Sequence, residues 1–169
     1  MNKLTKIVLH WTAGAHYPSF YDKQFYHYLI DKDGKIHNGI YPPEANLNPA
    51  TGKYCAHCGG GNTGAIGIAF CAMAGFSLLT KKTRYPITPS QLEAGLKLAA
   101  QLALKYDIPV TQKTVFTHYE FGKLHPASSS AGKIDITVLH PYPTVSEANA
   151  GGFLRLKIKW YKACGAVGG

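Results

Sequence analysis

The sequence contains few acidic residues and no long apolar run. Only 9 Asp and Glu stand against 18 Lys and Arg in 169 residues, which gives a formal net charge of +9. This excess predicts a polyanionic partner, and nucleic acid, anionic lipid and the bacterial cell wall all meet that description on charge alone. A helix that spans a bilayer needs about 18 consecutive apolar residues. No segment approaches that length, so we predict no transmembrane helix.

Cysteine is also scarce. Four cysteines fall short of the density of small disulfide-stapled domains, so we expect mostly free thiols. Cys55 and Cys58 form a Cys-x-x-Cys motif, a spacing found in zinc sites and redox pairs. A structural zinc needs two further ligands, and only His57 and Cys71 are close in sequence. A structural metal, a redox pair and a local disulfide remain alternatives to free thiols.

The N-terminus lacks the pattern of a secretory leader. Residues Met1–Lys6 run directly into an apolar segment, without a separate apolar core or a small-residue cleavage site. We therefore expect no signal peptide and synthesis in the cytoplasm.

The segments that are present predict one mixed α/β domain over residues 1–169, with a central mixed β-sheet flanked by helices. A chain of this length with 46% hydrophobic residues can bury a substantial core. No internal repeat or long linker divides it. The predicted strands are Lys6–Thr12, a hairpin over Tyr26–Ile40 that turns at Asp33-Gly34, Ala65–Ala74 and Val115–His118.

One helix has a clear start. Thr88 is followed by Pro89 and Gln91, an arrangement typical of a capping box with proline at the first helical position. Apolar residues at helical spacing then extend the predicted helix to about Tyr106. Residues 124–131 contain a run of serines and predict a loop.

The tail of residues 151–169 fits two structures. Apolar and basic residues alternate along 153–161 like a strand, whereas Phe153, Leu156, Trp160 and Cys164 share one helical face. We favour a basic amphipathic helix docked on the domain. A tail that binds an anionic membrane surface is the alternative, because cations beside Trp and Leu suit such a surface.

Three residues far apart in the sequence carry the strongest chemical signal. His10 and His118 each end a predicted strand, and Asp135 interrupts the apolar segment Lys133–Ile136. Two histidines and one aspartate can hold a catalytic zinc and leave its fourth position to water. Their wide separation is unlike the compact spacing of structural zinc sites, and spacing alone predicts the site only weakly.

Four blocks in order resemble the zinc-dependent N-acetylmuramoyl-L-alanine amidases. That family includes phage lysozyme-type amidases, bacterial recycling amidases and animal peptidoglycan-recognition proteins. The matching blocks cover most of residues 6–136 and are Ile7–Gly14, Tyr26–Ile36, Ala56-His57 with Asn62–Phe70, and Thr117–Glu120 followed by Gly132–Asp135.

The resemblance assigns roles to individual residues. It implies one zinc ion per chain, bound by His10, His118 and Asp135, and an amidase/peptidoglycan-recognition-like fold. Lys133 falls where the family has a catalytic lysine, whose ammonium stabilises the oxyanion formed from the amide. Tyr26 aligns with a pocket tyrosine that orients the attacking water or the intermediate.

Further residues of the same blocks are expected around the substrate. The resemblance makes His57 a substrate contact, and we predict the same for Thr12 and Asn62. Glu120 matches an acidic position of the family. We expect it at most to orient the zinc ligands without binding the metal itself. The segment between the last two ligands is longer than in many relatives, so His125 or His140 could replace Asp135, or the loop could line the substrate groove.

The resemblance implies hydrolysis of the bond between N-acetylmuramic acid and L-alanine in peptidoglycan. Compact size, the absence of a leader and the basic tail favour a phage or prophage endolysin, made in the host cytoplasm and later released to the periplasm and cell wall. The alternatives are a cytoplasmic recycling amidase for anhydro-muropeptides and a noncatalytic peptidoglycan-binding module. The latter typically lacks the third ligand. We expect a monomer and, since the cations are scattered, no nucleic-acid partner.

Overall fold

A five-stranded mixed sheet forms the centre of the structure, a computed structural model that describes residues 3–165. The strands are β1 (Lys6–Trp11), β2 (Tyr28–Ile30), β3 (Ile36–Asn38), β4 (Ala65–Phe70) and β5 (Val115–Thr117). Their order is β3-β2-β4-β1-β5. Only β3 runs antiparallel to its neighbour, β2, and the other pairs are parallel. The predicted mixed α/β class is confirmed.

The central strands are apolar because both of their faces are covered. All six residues of β4 are buried, as are five of the six in β1. Along β1, Ile7 and Leu9 face the main core, whereas Val8 belongs to a smaller cluster with Phe116 and Phe121. Side chains alternate between the faces of a strand, so His10 lies on the same face as Val8.

Within residues 3–165, four helices and two 3₁₀ turns surround the sheet. The helices are α1 (Asp22–Phe25), α2 (Pro89–Lys105), α3 (His118–Leu124) and α4 (Glu147–Ala163), and the 3₁₀ turns are Pro43–Leu47 and Pro49–Thr51. Helix α2 packs on β2 and β4 and against α4. None of the helices in the described part of the chain is long and apolar enough to cross a membrane.

The predicted helix start at Thr88 is confirmed in detail. The Thr88 hydroxyl accepts a hydrogen bond from the Gln91 backbone N–H, and the Gln91 side chain accepts one from the Thr88 N–H. The Gln91 amide also donates to the carbonyls of Ile30 and Cys71. Gln91 therefore ties the start of the helix to β2 and to the residue that follows β4.

The tail is a helix, but the predicted buried face was wrong. Helix α4 begins at Glu147 and buries Leu154 and Ile158 together with small residues near its start. Leu156 is 67% exposed and Trp160 is 60% exposed. The face that contains Leu154 and Ile158 also contains Ala150 and Gly151, whose small size allows close packing. The segment after residue 165 lies outside the described residues.

Tyr26 was predicted within the hairpin but lies outside its strands, and Asp135 also lies outside the sheet. Tyr26 follows α1 and precedes β2, and so lies outside the hairpin strands. Asp135 lies in an irregular segment, where its backbone carbonyl accepts from the Tyr119 N–H at 2.6 Å. That segment continues the loop after α3 and forms no ladder with the sheet.

Candidate metal centre

The three predicted ligands meet at one edge of the sheet. Leu9 of β1 pairs with Thr117 of β5, so the next residues, His10 and His118, are neighbours where these parallel strands end. The two Nδ1 atoms are 3.1 Å apart. Asp135 Oδ2 lies 3.0 Å from the His10 Nδ1 and 3.2 Å from the His118 Nδ1.

This triangle fits a tetrahedral zinc ion. Bonds of about 2.0–2.1 Å at tetrahedral angles separate ligand atoms by roughly 3.3 Å, close to the observed spacing. His10, His118 and Asp135 are all buried, and they form the only group of three or more such ligands within residues 3–165. The donor set and its spacing therefore suit a catalytic site with one position open to solvent or substrate.

The charge states of the site suit metal binding. Burial lowers the pKa of His10 to about 4, so its imidazole is neutral near pH 7 and keeps a lone pair. Burial alone would raise the pKa of Asp135, but the neighbouring His10 and His118 outweigh burial and hold that pKa below its usual range. The site thus combines an ionised carboxylate with a neutral imidazole.

A second histidine fixes the orientation of His10. The His10 Nε2 lies 3.0 Å from the His57 Nδ1, and the His57 Nε2 lies 3.3 Å from the Ala65 carbonyl. A carbonyl only accepts, so His57 donates from Nε2 and accepts from the His10 Nε2–H. The His10 Nδ1 is thereby left without a proton and faces the metal position.

The helix N-terminus holds His118 in place. Thr117 caps α3, where its hydroxyl and the Glu120 carboxylate form a capping box. Arg155 of α4 makes a two-pronged ion pair with Glu120 at 2.8 and 2.9 Å and also donates to the Val115 carbonyl. Glu120 thus supports the ligand by fixing its helix. The part played by Arg155 was missed, because an arginine in the basic tail looks like a surface charge in sequence.

The metal position opens into a cavity of about 550 Å³ that Tyr26 and Lys133 help to line. Lys133 is exposed, two residues from Asp135, and the ring of Tyr26 lies 5.2 Å from that of His10 between centroids. Burial and the charge of Asp135 raise the pKa of Tyr26 above its ordinary value. Its hydroxyl therefore stays protonated and can donate a hydrogen bond.

The predicted substrate contacts lie in different surroundings. Thr12 and His57 line the cavity, although the Thr12 hydroxyl already accepts from the Gly14 and Ala72 N–H groups. Asn62 is not among the residues that line it. The Asn62 side chain accepts from the Cys58 N–H and closes the loop between them. Its placement favours a loop-forming role, and contact with substrate stays a prediction for Thr12 and His57.

The alternative ligands and the cysteines lie outside the metal group. His125 is exposed and stacks on Phe121, and His140 hydrogen-bonds the Lys81 backbone. All four cysteines are free, whereas the sequence predicted mostly free thiols. Burial raises the pKa values of Cys55 and Cys58 to about 11, so both remain protonated thiols near pH 7.

The family model described as N-acetylmuramoyl-L-alanine amidase matches residues 1–143. No curated protein is similar enough in sequence to be matched.

Solved structures share the fold. The N-acetylmuramyl-L-alanine amidase AmiD from E. coli, in complex with anhydro-N-acetylmuramic acid-L-Ala-D-gamma-Glu-L-Lys, is 19% identical, with a TM-score of 0.58 over 91% of this chain and 57% of that chain. PlyL is 18% identical, with a TM-score of 0.50 over 93% of this chain and 85% of that chain. With the family match over most of its length, the chain belongs to the N-acetylmuramoyl-L-alanine amidase family.

Proposed function

We propose that this protein uses zinc to hydrolyse the amide bond between the lactyl group of N-acetylmuramic acid and L-alanine in peptidoglycan. The observation that carries the proposal is the buried triangle of His10, His118 and Asp135, with separations of 3.0–3.2 Å, at the base of a cavity. Family membership supports the amide bond as the target.

Three residues that line the cavity would act together with zinc in such a reaction. Zinc, when bound, acts as a Lewis acid and lowers the pKa of water. Lys133 presents an ammonium group that stabilises negative charge on the carbonyl oxygen during attack. Tyr26 keeps its proton and donates a hydrogen bond that orients the reacting groups. His57 holds the His10 ring in the orientation that the reaction needs.

Chelation tests this proposal directly. We expect a chelator to abolish the release of peptides with a free L-alanine amine from purified sacculi, and added zinc to restore that release. The reason is that zinc is proposed to activate the attacking water. Mass analysis of the products identifies the cleaved bond. Full activity of metal-free protein, or cleavage of a different bond, would refute the mechanism.

We also propose that the protein acts on intact cell wall as an endolysin. It would be made in the host cytoplasm and reach the periplasm and wall when another protein opens the membrane. The net charge of +9 supports an extended anionic substrate. The alternative is recycling of small soluble muropeptides.

Turnover on two substrates separates these roles. The endolysin proposal predicts faster cleavage per bond in intact sacculi than in a soluble anhydro-muropeptide. A strong preference for the soluble substrate would instead favour recycling.

The exposed side of α4 supports a further contact with anionic membrane. Leu156 and Trp160 share this side with Lys159 and are mostly exposed. Trp and Leu insert into the headgroup region of a bilayer while neighbouring cations pair with anionic lipids. Helix α4 would thus use one face for the core and the other for the membrane surface.

A further inference from the structure

Two runs of small residues lie against each other beside the metal centre. A Cβ atom added to Gly59 would lie 1.8 Å from the Ser129 Oγ, and one added to Gly60 would lie 2.8 Å from the Ser128 Cβ. The glycine loop can approach the serine loop this closely because it has no side chains. The proposed reaction assigns no role to the residues of either run.

The contact between the loops places one hydroxyl against a metal ligand. Ser130 is completely buried. Its Oγ lies 3.0 Å from the His118 Nε2 and 2.8 Å from the Gly59 carbonyl oxygen. The Cys58 Sγ lies 3.6 Å from the same hydroxyl.

The directions of these hydrogen bonds follow from donor chemistry. The Gly59 carbonyl only accepts, so the Ser130 hydroxyl donates its proton there. The hydroxyl oxygen then accepts from the His118 Nε2–H and, more weakly, from the Cys58 thiol. With its proton on Nε2, His118 has a free lone pair on Nδ1. That atom is the one that faces His10 and Asp135.

We propose that Ser130 is a positioning residue, which fixes the proton and the ring orientation of the zinc ligand His118 through its hydroxyl. This inference rests on the proposed zinc site. Partners of this kind, which hold the second nitrogen of a ligand histidine, typically change metal affinity by about 10–100-fold when removed. Ser130 therefore acts on His118 as His57 acts on His10, by accepting the hydrogen bond from the Nε2–H group.

A comparison of two serine variants tests the role. Ser130→Ala removes the acceptor of the His118 N–H, and we expect it to bind zinc about 10–100-fold more weakly than wild type. Ser129→Ala is the matched control, because Ser129 is the exposed neighbour in the same loop. It should bind zinc as wild type does. Zinc dissociation constants come from competition with a chelator of known affinity.

A spectroscopic measurement separates positioning from general loosening of the loop. In cobalt-loaded protein, the visible absorption bands report the ligand geometry and should change in Ser130→Ala and not in Ser129→Ala. Ser130→Thr keeps the hydroxyl and should recover the wild-type bands. Unchanged affinity and bands in a folded Ser130→Ala protein would overturn the role of Ser130, while wild-type protein without zinc affinity would overturn the zinc site itself.

The wild-type protein gives a test that needs no variant. Long-range ¹H–¹⁵N spectra of zinc-loaded, histidine-labelled protein should show the His118 proton on Nε2, exchanging slowly with water because its acceptor is buried. Rapid exchange of that proton, or zinc bound through Nε2, would overturn the proposal even if Ser130→Ala failed to fold.

Discussion

At the scale of single residues, Asp135 is the proposed zinc ligand whose position depends most on the fold. It lies in an irregular segment, yet its side chain is buried between two histidines. We expect Asp135→Ala to lose both stoichiometric zinc and amidase activity, because one of the three proposed zinc ligands is removed. Metal analysis of the purified variant measures this. His125→Ala is the control and should keep its zinc, since the ring is exposed. Stoichiometric zinc in Asp135→Ala would point to another ligand.

Replacement of Lys133 separates the proposed catalytic role from metal binding. We expect Lys133→Met to lower kcat by about 10²–10³-fold, the usual cost of losing one group that stabilises an oxyanion. Its zinc content should stay at one ion per chain, because the lysine is no ligand. Steady-state kinetics on a muropeptide substrate measure the effect. Lys123→Met, which changes an exposed lysine of α3, should stay near wild type. Equal kcat in the two variants would exclude the proposed role.

At the scale of elements, two adjacent glycines of α4 face different surroundings. A Cβ on Gly151 would lie 2.1 Å from the Glu120 Oε1, whereas one on Gly152 would meet nothing within 4 Å. Glu120 has little freedom to move, because the α3 cap and Arg155 hold its carboxylate. Gly151 is therefore required where the tail helix crosses the N-terminus of α3, and Gly152 is not.

Alanine at the two positions should have opposite effects on stability. We expect Gly151→Ala to lower the free energy of unfolding by about 1–3 kcal/mol through overpacking. Gly152→Ala should raise it by up to about 1 kcal/mol, because alanine favours helix over glycine. Urea unfolding followed by circular dichroism measures both. Equal destabilisation by the two variants would mean that α4 does not pack on Glu120 in this way.

At the scale of the whole molecule, the net charge of +9 does not show which part of the surface would bind an anionic membrane. We expect Lys159→Glu/Lys162→Glu to weaken binding to anionic phospholipid vesicles at least tenfold, because Lys159 neighbours the exposed Trp160 and Lys162 follows Lys159 by about one helical turn. Lys35→Glu/Lys53→Glu is the matched control, with the same change in net charge at exposed positions outside α4. Cosedimentation with vesicles measures binding. Equal loss in both double variants would assign it to overall charge.

The sequence by itself determined which chemistry is present. The capped start of α2, the apolar strands β1 and β4 and the residue types of the metal site follow from local pattern and from four ordered family blocks. These features are readable because propensity, capping and burial act over a few neighbouring residues.

Only the tertiary structure decided which contacts support that chemistry. The buried face of α4, the contact of Arg155 with Glu120 and the hydrogen bond from His118 to Ser130 each join segments far apart in the chain. Arginine and serine are common on surfaces, so neither residue signals such a role in sequence. Their roles arise where packing excludes water and leaves a buried donor with one available acceptor, and that geometry is a property of the assembled fold.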